Sequence, residues 1–308
     1  MLMRALTLLA LSATPASAQF YTDAELQRVQ DRAVPKLELV LHEDIVGLLP
    51  RAERPLAARI ALEFPAKGPD PLAFYAEPDR LTITMPLESI RFFDDIATLF
   101  AWFQSKGCAF EPTQSYLHAL LREHQPLPPP LVAFGIDRDA AFDDEYTYDL
   151  SSKIYSAGLL FILAHEVGHL VLGHEVGLTG PASQAQEIAA DAFAMDHFAR
   201  VGTMPVGILF YYIAAWWRDP VGPAAAASTH PVSPGRMAAL ARRMADTPMD
   251  FAHGEPDPEA AAVRVTATAG QIAVFANLAS DEGMLTLMPL GLQRDFPLSR
   301  LQTVCPSD

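Results

Sequence analysis

Residues 150–177 read LSSKIYSAGLLFILAHEVGHLVLGHEVG, and residues 184–202 read QAQEIAADAFAMDHFARVG. The first stretch has a Ser-rich start and a long apolar run that closes at Gly177. The second carries apolar residues at helical spacing and stops at Gly202, where a left-handed closing residue belongs. Residues 149–200 therefore predict two successive helices joined by the loop LTGPAS. Downstream, GILFYYIAAWW at 207–217 predicts a third helix. It is too short to span a membrane and is followed at once by Arg218 and Asp219, so it reads as buried. A loop holding STHPVSPGR leads to the helical RMAALARRMA, and VRVTATAGQIAVFANLA alternates in the manner of strands. Upstream, residues 21–63 are helical in pattern, with Tyr21-Thr22-Asp23 as a start signal. LTITM at 81–85 alternates like a strand, and residues 87–103 return to a Phe-rich helical pattern. The proline cluster at 126–130 punctuates the chain, and LVAFGID after it is a candidate strand. The class implied is mainly α with a small β component, an α+β fold.

Composition sets the outer limits. The chain has 308 residues, half of them apolar and 19% charged, which is the profile of a folded globular protein. No period of 20–50 residues repeats, which argues against a solenoid or propeller. The net charge of -15, spread along the chain, speaks against nucleic acid or anionic lipid as the main partner. Arg4, the apolar run at 5–11 and Ala16-Ser17-Ala18 have the order of an export signal, with the mature chain beginning near Gln19. The other reading, an uncleaved anchor, requires roughly 20 apolar residues that the leader does not have. The mature chain is expected to have no transmembrane segment and to be exported, to a bacterial periplasm or beyond. Cys108 and Cys305 either pair in that oxidising compartment or stay as two separate buried thiols. Two cysteines cannot build a thiolate metal site, so any metal must use histidine and carboxylate.

His165-Glu166-Val167-Gly168-His169 fits H-E-x-x-H. On a helix the two histidines stand only about 40° apart, so both imidazoles face one way and can take two corners of a tetrahedral zinc site. Glu166 can then reach the remaining water position. Five residues recur by chance, and a solvated acid–His helix is the bland alternative. The flanking FILA and LVL are apolar, however, and buried His and Glu need partners that a metal supplies. The metzincin pattern fails, because Leu172 and Glu175 stand where glycine and a third histidine are required. His174, about 180° round a straight helix from His165, is expected to point away from the metal. Glu187 on the following helix is the next candidate ligand, against the reading of a solvated carboxylate. Asp191, one turn later, can accept a hydrogen bond from the far nitrogen of a metal-bound imidazole.

HEVGHLVLGH followed by EIAAD resembles the gluzincin metallopeptidases, above all the HtpX-like and CAAX-prenyl-endopeptidase group. The likeness extends to Ser228-Thr229-His230-Pro231 and Arg236, and covers about residues 155–245. ImmA/IrrE-type gluzincins are similar at the same two motifs. The resemblance implies a zincin-like core, placed at 131–250, and the patterns before it give a leader at 1–18 and an N-terminal helical region at 19–130. A tail with short strands at 251–308 completes the division. It also implies a Zn2+ ion on His165, His169 and Glu187, with Glu166 catalytic and His230 and Arg236 near the cleft. The Asn-Ala…Pro-Gly-Gly strand that the group carries before its metal helix is missing here. His230 has three readings: donor to a developing oxyanion, with Tyr211 or Tyr212 next in line; loop cap; or reversible fourth ligand that blocks the site. The expected activity is a zinc-dependent endopeptidase acting on envelope or secreted polypeptides. The alternative is a non-catalytic or self-blocked zinc-binding envelope protein with a chaperone-like or quality-control role.

Overall fold

The computed structural model describes residues 20–219 and 232–305. The leader at 1–18 and His230 lie outside them. Among the described residues, four α-helices precede the proline cluster: α1 (Asp23–Leu39), α2 (Arg54–Ala57), α3 (Leu87–Ser105) and α4 (Glu111–Leu117). Two short helices follow, α5 (Pro130–Ala133) and α6 (Arg138–Asp143), and then the long pair α7 (Glu145–Val171) and α8 (Gly180–Val201). The chain continues through α9 (Gly207–Arg218), α10 (Pro234–Asp246), α11 (Pro258–Ser280) and α12 (Glu282–Asp295). Three short strands, β1 (Ala61–Glu63), β2 (Tyr75–Glu77) and β3 (Thr82–Thr84), form one sheet in the order β1-β3-β2. β1 runs parallel to β3 with Ala61 opposite Thr82, and β2 runs antiparallel with Tyr75 opposite Thr84. The fold is mainly α with a small β component.

Local chemistry explains most of the boundaries. Thr22 caps α1 in a reciprocal box with Glu25, each side chain bonded to the other's backbone N–H. Asp144 caps α7 by accepting from the Thr147 N–H at 2.8 Å. α3 is the central element. Its Phe92, Phe93, Phe100 and Phe103 are all buried, and the helix packs along α7. Its most deeply buried acid, Asp95, is met by Arg91, Arg138 and the Tyr21 hydroxyl. Burial nevertheless pushes its pKa up to about 6 against the pull of those arginines.

α7 is long and apolar enough to cross a membrane by length and composition, and 72% of its apolar window is buried within the fold. It crosses its neighbours at glycines. A Cβ on Gly168 would stand 3.1 Å from Phe193 of α8, and one on Gly207 of α9 would stand 2.2 Å from the backbone nitrogen of Gly158. Backbone atoms cannot step aside as a side-chain end can. Gly207→Ala is therefore expected to lower stability by about 1–3 kcal/mol, read as an earlier midpoint in urea with an unchanged slope.

Two sequence expectations are corrected. The alternating tail is not a strand: residues 258–280 form α11. Its buried Ala261, Val265, Ala269, Ile272, Ala276 and Ala279 recur every three or four residues, and Asp257 with Pro258 supplies the start signal. Alanine's helix preference outweighs the β-branched residues between. LVAFGID is not a strand either: its first three residues belong to the short helix Pro130–Ala133. Pro130 occupies its first turn and Gly135, at φ +66°, follows its end. Cys108 and Cys305 form a disulfide that closes a separation of 197 residues and ties the C-terminal segment back to the end of α3.

Candidate metal centre and cleft

The H-E-x-x-H residues lie in the last two turns of α7, and Glu187 and Asp191 lie on the facing side of α8. The close crossing at Gly168 and Phe193 brings the two helices together at this level. His165 Nε2 and His169 Nε2 are 3.1 Å apart. Glu187 places one oxygen 3.4 Å from the first and the other 3.4 Å from the second. All three residues are buried, and their candidate ligand atoms form a group within 4.8 Å. Donors about 2.0–2.2 Å from one tetrahedral ion stand about 3.3–3.6 Å from each other, so the residues present fit a single metal ion.

Electrostatics point the same way. Burial alone would depress the His165 imidazole, but the Asp191 and Glu187 carboxylates beside it push its pKa up to about 10. The pocket stabilises positive charge at that place. Asp191 Oδ1 sits 2.9 Å from His165 Nδ1, though not aligned as a strict hydrogen bond.

Arg236, from the first turn of α10, binds Glu187 and Asp191 of α8 at once. Its Nε and one terminal nitrogen fork onto the two Asp191 oxygens at 2.8 Å each. The other terminal nitrogen lies 2.7 Å from Glu187 Oε2. The Tyr212 hydroxyl accepts a further contact at 3.2 Å. Burial would raise the Asp191 pKa, yet the Arg236 charge overcomes it and holds the carboxyl below its ordinary value. The position of Arg236 has a local cause. Ser233 caps α10 by accepting from the Arg236 N–H, and Pro234 opens the first turn.

Glu166 is 5% exposed, and its Oε2 has no hydrogen-bond partner. It stands at the meeting of two openings. One is a cleft of about 320 Å³ whose wall includes Asp70, Phe74, Tyr75, Tyr211 and Arg218. The other is a smaller hollow bordered by Ala76, His169, His174 and Val176. The pattern of the sequence does not announce Tyr75, Ala76 or Asp70 as site residues. They come from the N-terminal third of the chain, and only the packing of β2 on α7 brings them in.

His174 overturns its expectation. It does not continue the helix and point away, because α7 ends at Val171 and Gly173 takes φ +67°. The His174 N–H returns to the His169 carbonyl at 3.0 Å and the Gly173 N–H to Leu170. This turn folds residue 174 back over residue 169. The two Nδ1 atoms are then 2.9 Å apart. Burial, reinforced by the His169 ring, lowers the His174 pKa to about 4, so its ring is neutral where it meets His169. A neutral ring at that place can fix the orientation of the His169 imidazole. His174→Ala is expected to weaken metal binding about 10–100-fold, measured by competition with a chromophoric chelator. Unchanged affinity would remove the assigned role.

Of the remaining residues singled out in the sequence, His230 lies outside the described residues. The segment carrying it is flanked by Asp219 and Val232, which both line the cleft and are joined by the Val232 N–H at 2.9 Å from Asp219 Oδ2. Comparison with curated proteins and with solved structures gives no significant match. A protein-family model, peptidase U49, matches residues 106–254, just under half of the chain. His165, Glu166, His169, Glu187, Asp191 and Arg236 all fall inside that stretch, and the activity that this similarity supports is that of a peptidase.

Proposed function

We propose that the chain is a zinc-dependent endopeptidase of the gluzincin type, with His165, His169 and Glu187 as ligands and Glu166 as general base. The observation that carries the reading is the close set of donors, with the two imidazole nitrogens 3.1 Å apart and each 3.4 Å from one oxygen of Glu187, beside a Glu166 oxygen that has no hydrogen-bond partner. Two imidazoles and one carboxylate are a donor set that zinc uses in catalytic sites with a fourth position open. Bound there, zinc would supply the Lewis acidity that makes water a nucleophile near neutral pH. Glu166 accepts the proton of the attacking water and returns it to the departing amine. Tyr211 borders the cleft with Glu166, and burial raises its pKa well above the ordinary tyrosine value. Its hydroxyl therefore stays protonated and can donate to the oxyanion. Tyr212 is taken up by Arg236. The same donor role is proposed for His230 on the sequence motif Ser228-Thr229-His230-Pro231 alone.

The substrate proposed is an extended polypeptide. β2 is an edge of its sheet, and its Ala76 borders the hollow that holds Glu166 and His169. An unpaired strand edge offers N–H and C=O groups in the repeat that an extended peptide needs. With the leader at 1–18 removed on export, the substrates would be envelope or secreted proteins, in a periplasm or outside the cell. Metal analysis and cleavage of an unfolded protein substrate, with and without chelator, test the reading. One zinc per chain is expected, with hydrolysis lost on chelation and restored by zinc. Hydrolysis that persists in thoroughly metal-free protein would sink it.

A further inference from the structure

α1 and α7 both pack on α3, and a groove of about 820 Å³ runs between them. It shares no lining residue with the metal cleft. Ser152 in its wall stands thirteen residues ahead of His165 on the same helix, about 20 Å along the axis. One wall carries a rail of cations on α1. Arg28, Arg32 and Lys36 follow one another at four-residue steps, and all three are exposed. The other wall, from α7, presents the hydroxyls of Tyr148, Ser151, Ser152, Tyr155 and Ser156.

Elsewhere the groove has charges of both signs, and most of these are taken up within the fold. Glu25 closes the capping box of α1 and lies 3.9 Å from Arg91. Asp94 pairs with Arg138, and Asp137 caps α6 by accepting from the Ala140 N–H at 2.9 Å. Arg91 and Arg138 are both held by the buried Asp95. The rail is different. Arg32 and Lys36 have no ion-pair partner among the described residues, and Arg28 acts only at a distance on Glu25. Like charges one turn apart on a helix repel, and an anion laid along α1 relieves that repulsion.

Spacing and charge together define the ligand. Four-residue steps on a helix are about 6 Å apart along its axis. In an extended polypeptide every second side chain lies on one face, about 6.5 Å from the next. Carboxylates at alternate positions therefore fall in register with Arg28, Arg32 and Lys36. The residues between them face the other way, where the α7 hydroxyls can bond polar side chains. A phosphate polymer or a nucleic acid is charged along its whole length and would meet Asp94 and Asp139 as well. We propose that this groove binds an extended acidic polypeptide segment, with alternate carboxylates on the α1 rail and the intervening polar residues toward α7. Binding there requires neither the metal nor cleavage of the peptide.

The test is the fluorescence anisotropy of a labelled peptide in which glutamate and serine alternate, titrated in low-salt buffer with the full chain, zinc-loaded and chelated. Both forms should bind it equally. Arg28→Gln, Arg32→Gln and Lys36→Gln combined should weaken binding by about 10–100-fold. A peptide of the same composition with its glutamates in one block should bind at least about threefold more weakly than the alternating one. The three residues are exposed, so the thermal midpoint of the triple variant should stay within about 2 °C of the parent. Should that variant fail to fold, the single reversal Arg32→Glu decides: it should weaken the glutamate–serine peptide and strengthen a lysine–serine one. Equal affinity of parent and variant, equal affinity for the two glutamate peptides, loss of binding on chelation, or tighter binding of inorganic polyphosphate would each overturn the proposal. Binding without any hydrolysis would support the groove and count only against the peptidase reading.

Discussion

Glu166→Gln is expected to keep its metal and lose about 10²–10⁴-fold in kcat, a rise of roughly 3–5 kcal/mol in the barrier. The retention follows from geometry. The three donors that approach one another are His165, His169 and Glu187, and Glu166 is not among them. The loss follows from chemistry, since an amide of the same shape cannot take a proton from water. Burial makes the contrast sharper, because Glu166 has an oxygen with no hydrogen-bond partner and so nothing that occupies it before substrate arrives. Metal content and steady-state rates on one peptide, measured on the same preparation, separate the possible results. Unchanged turnover would place the base elsewhere. Loss of the metal along with activity would make Glu166 a ligand instead.

The second large effect is on stability. Arg236→Met is expected to cost about 3–5 kcal/mol, which for a chain of this size is a fall of roughly 6–15 °C in the thermal midpoint. Arg236 is 3% exposed and is the cation that both Asp191 and Glu187 lean on. Removing it leaves two carboxylates buried with one histidine pair between them. A metal ion neutralises part of the same charge, so the loss should be larger in chelated protein than in metal-loaded protein. Arg236→Lys keeps the charge but cannot fork onto Asp191 while also reaching Glu187. It should fall between the two. Equal midpoints for all three forms would show that the network holds nothing together.

How far these residues could be read in advance differs from one to the next. The H-E-x-x-H spacing is a property of a single helix, and any helix through residues 165–169 puts the imidazoles on one face. Gly202 after α8 and the capping threonine of α1 are equally local signals, and both behave as their residue types require. His174 was open to a correct reading, since Gly173 is a stop signal. Extending the helix through it led to the wrong direction. The tail at 258–280 failed for another reason. Alternation and helical repeat overlap in an alanine-rich stretch, and the buried face is visible only once its neighbours α10 and α12 are in place.

Short-range pattern, then, was enough to establish the mainly α class, the positions of α7, α8 and α9, and the two histidines with Glu166. Long-range packing was needed for everything that closes the site. It supplies the approach of Glu187 across the Gly168 crossing, the insertion of Arg236 between two acids, the wall built from residues 69–75, and the choice of a disulfide over two thiols. The division has a physical origin. Helix periodicity and caps depend on neighbours within about four residues. A carboxylate's partner, by contrast, is selected by which distant element meets it when the apolar faces are buried together.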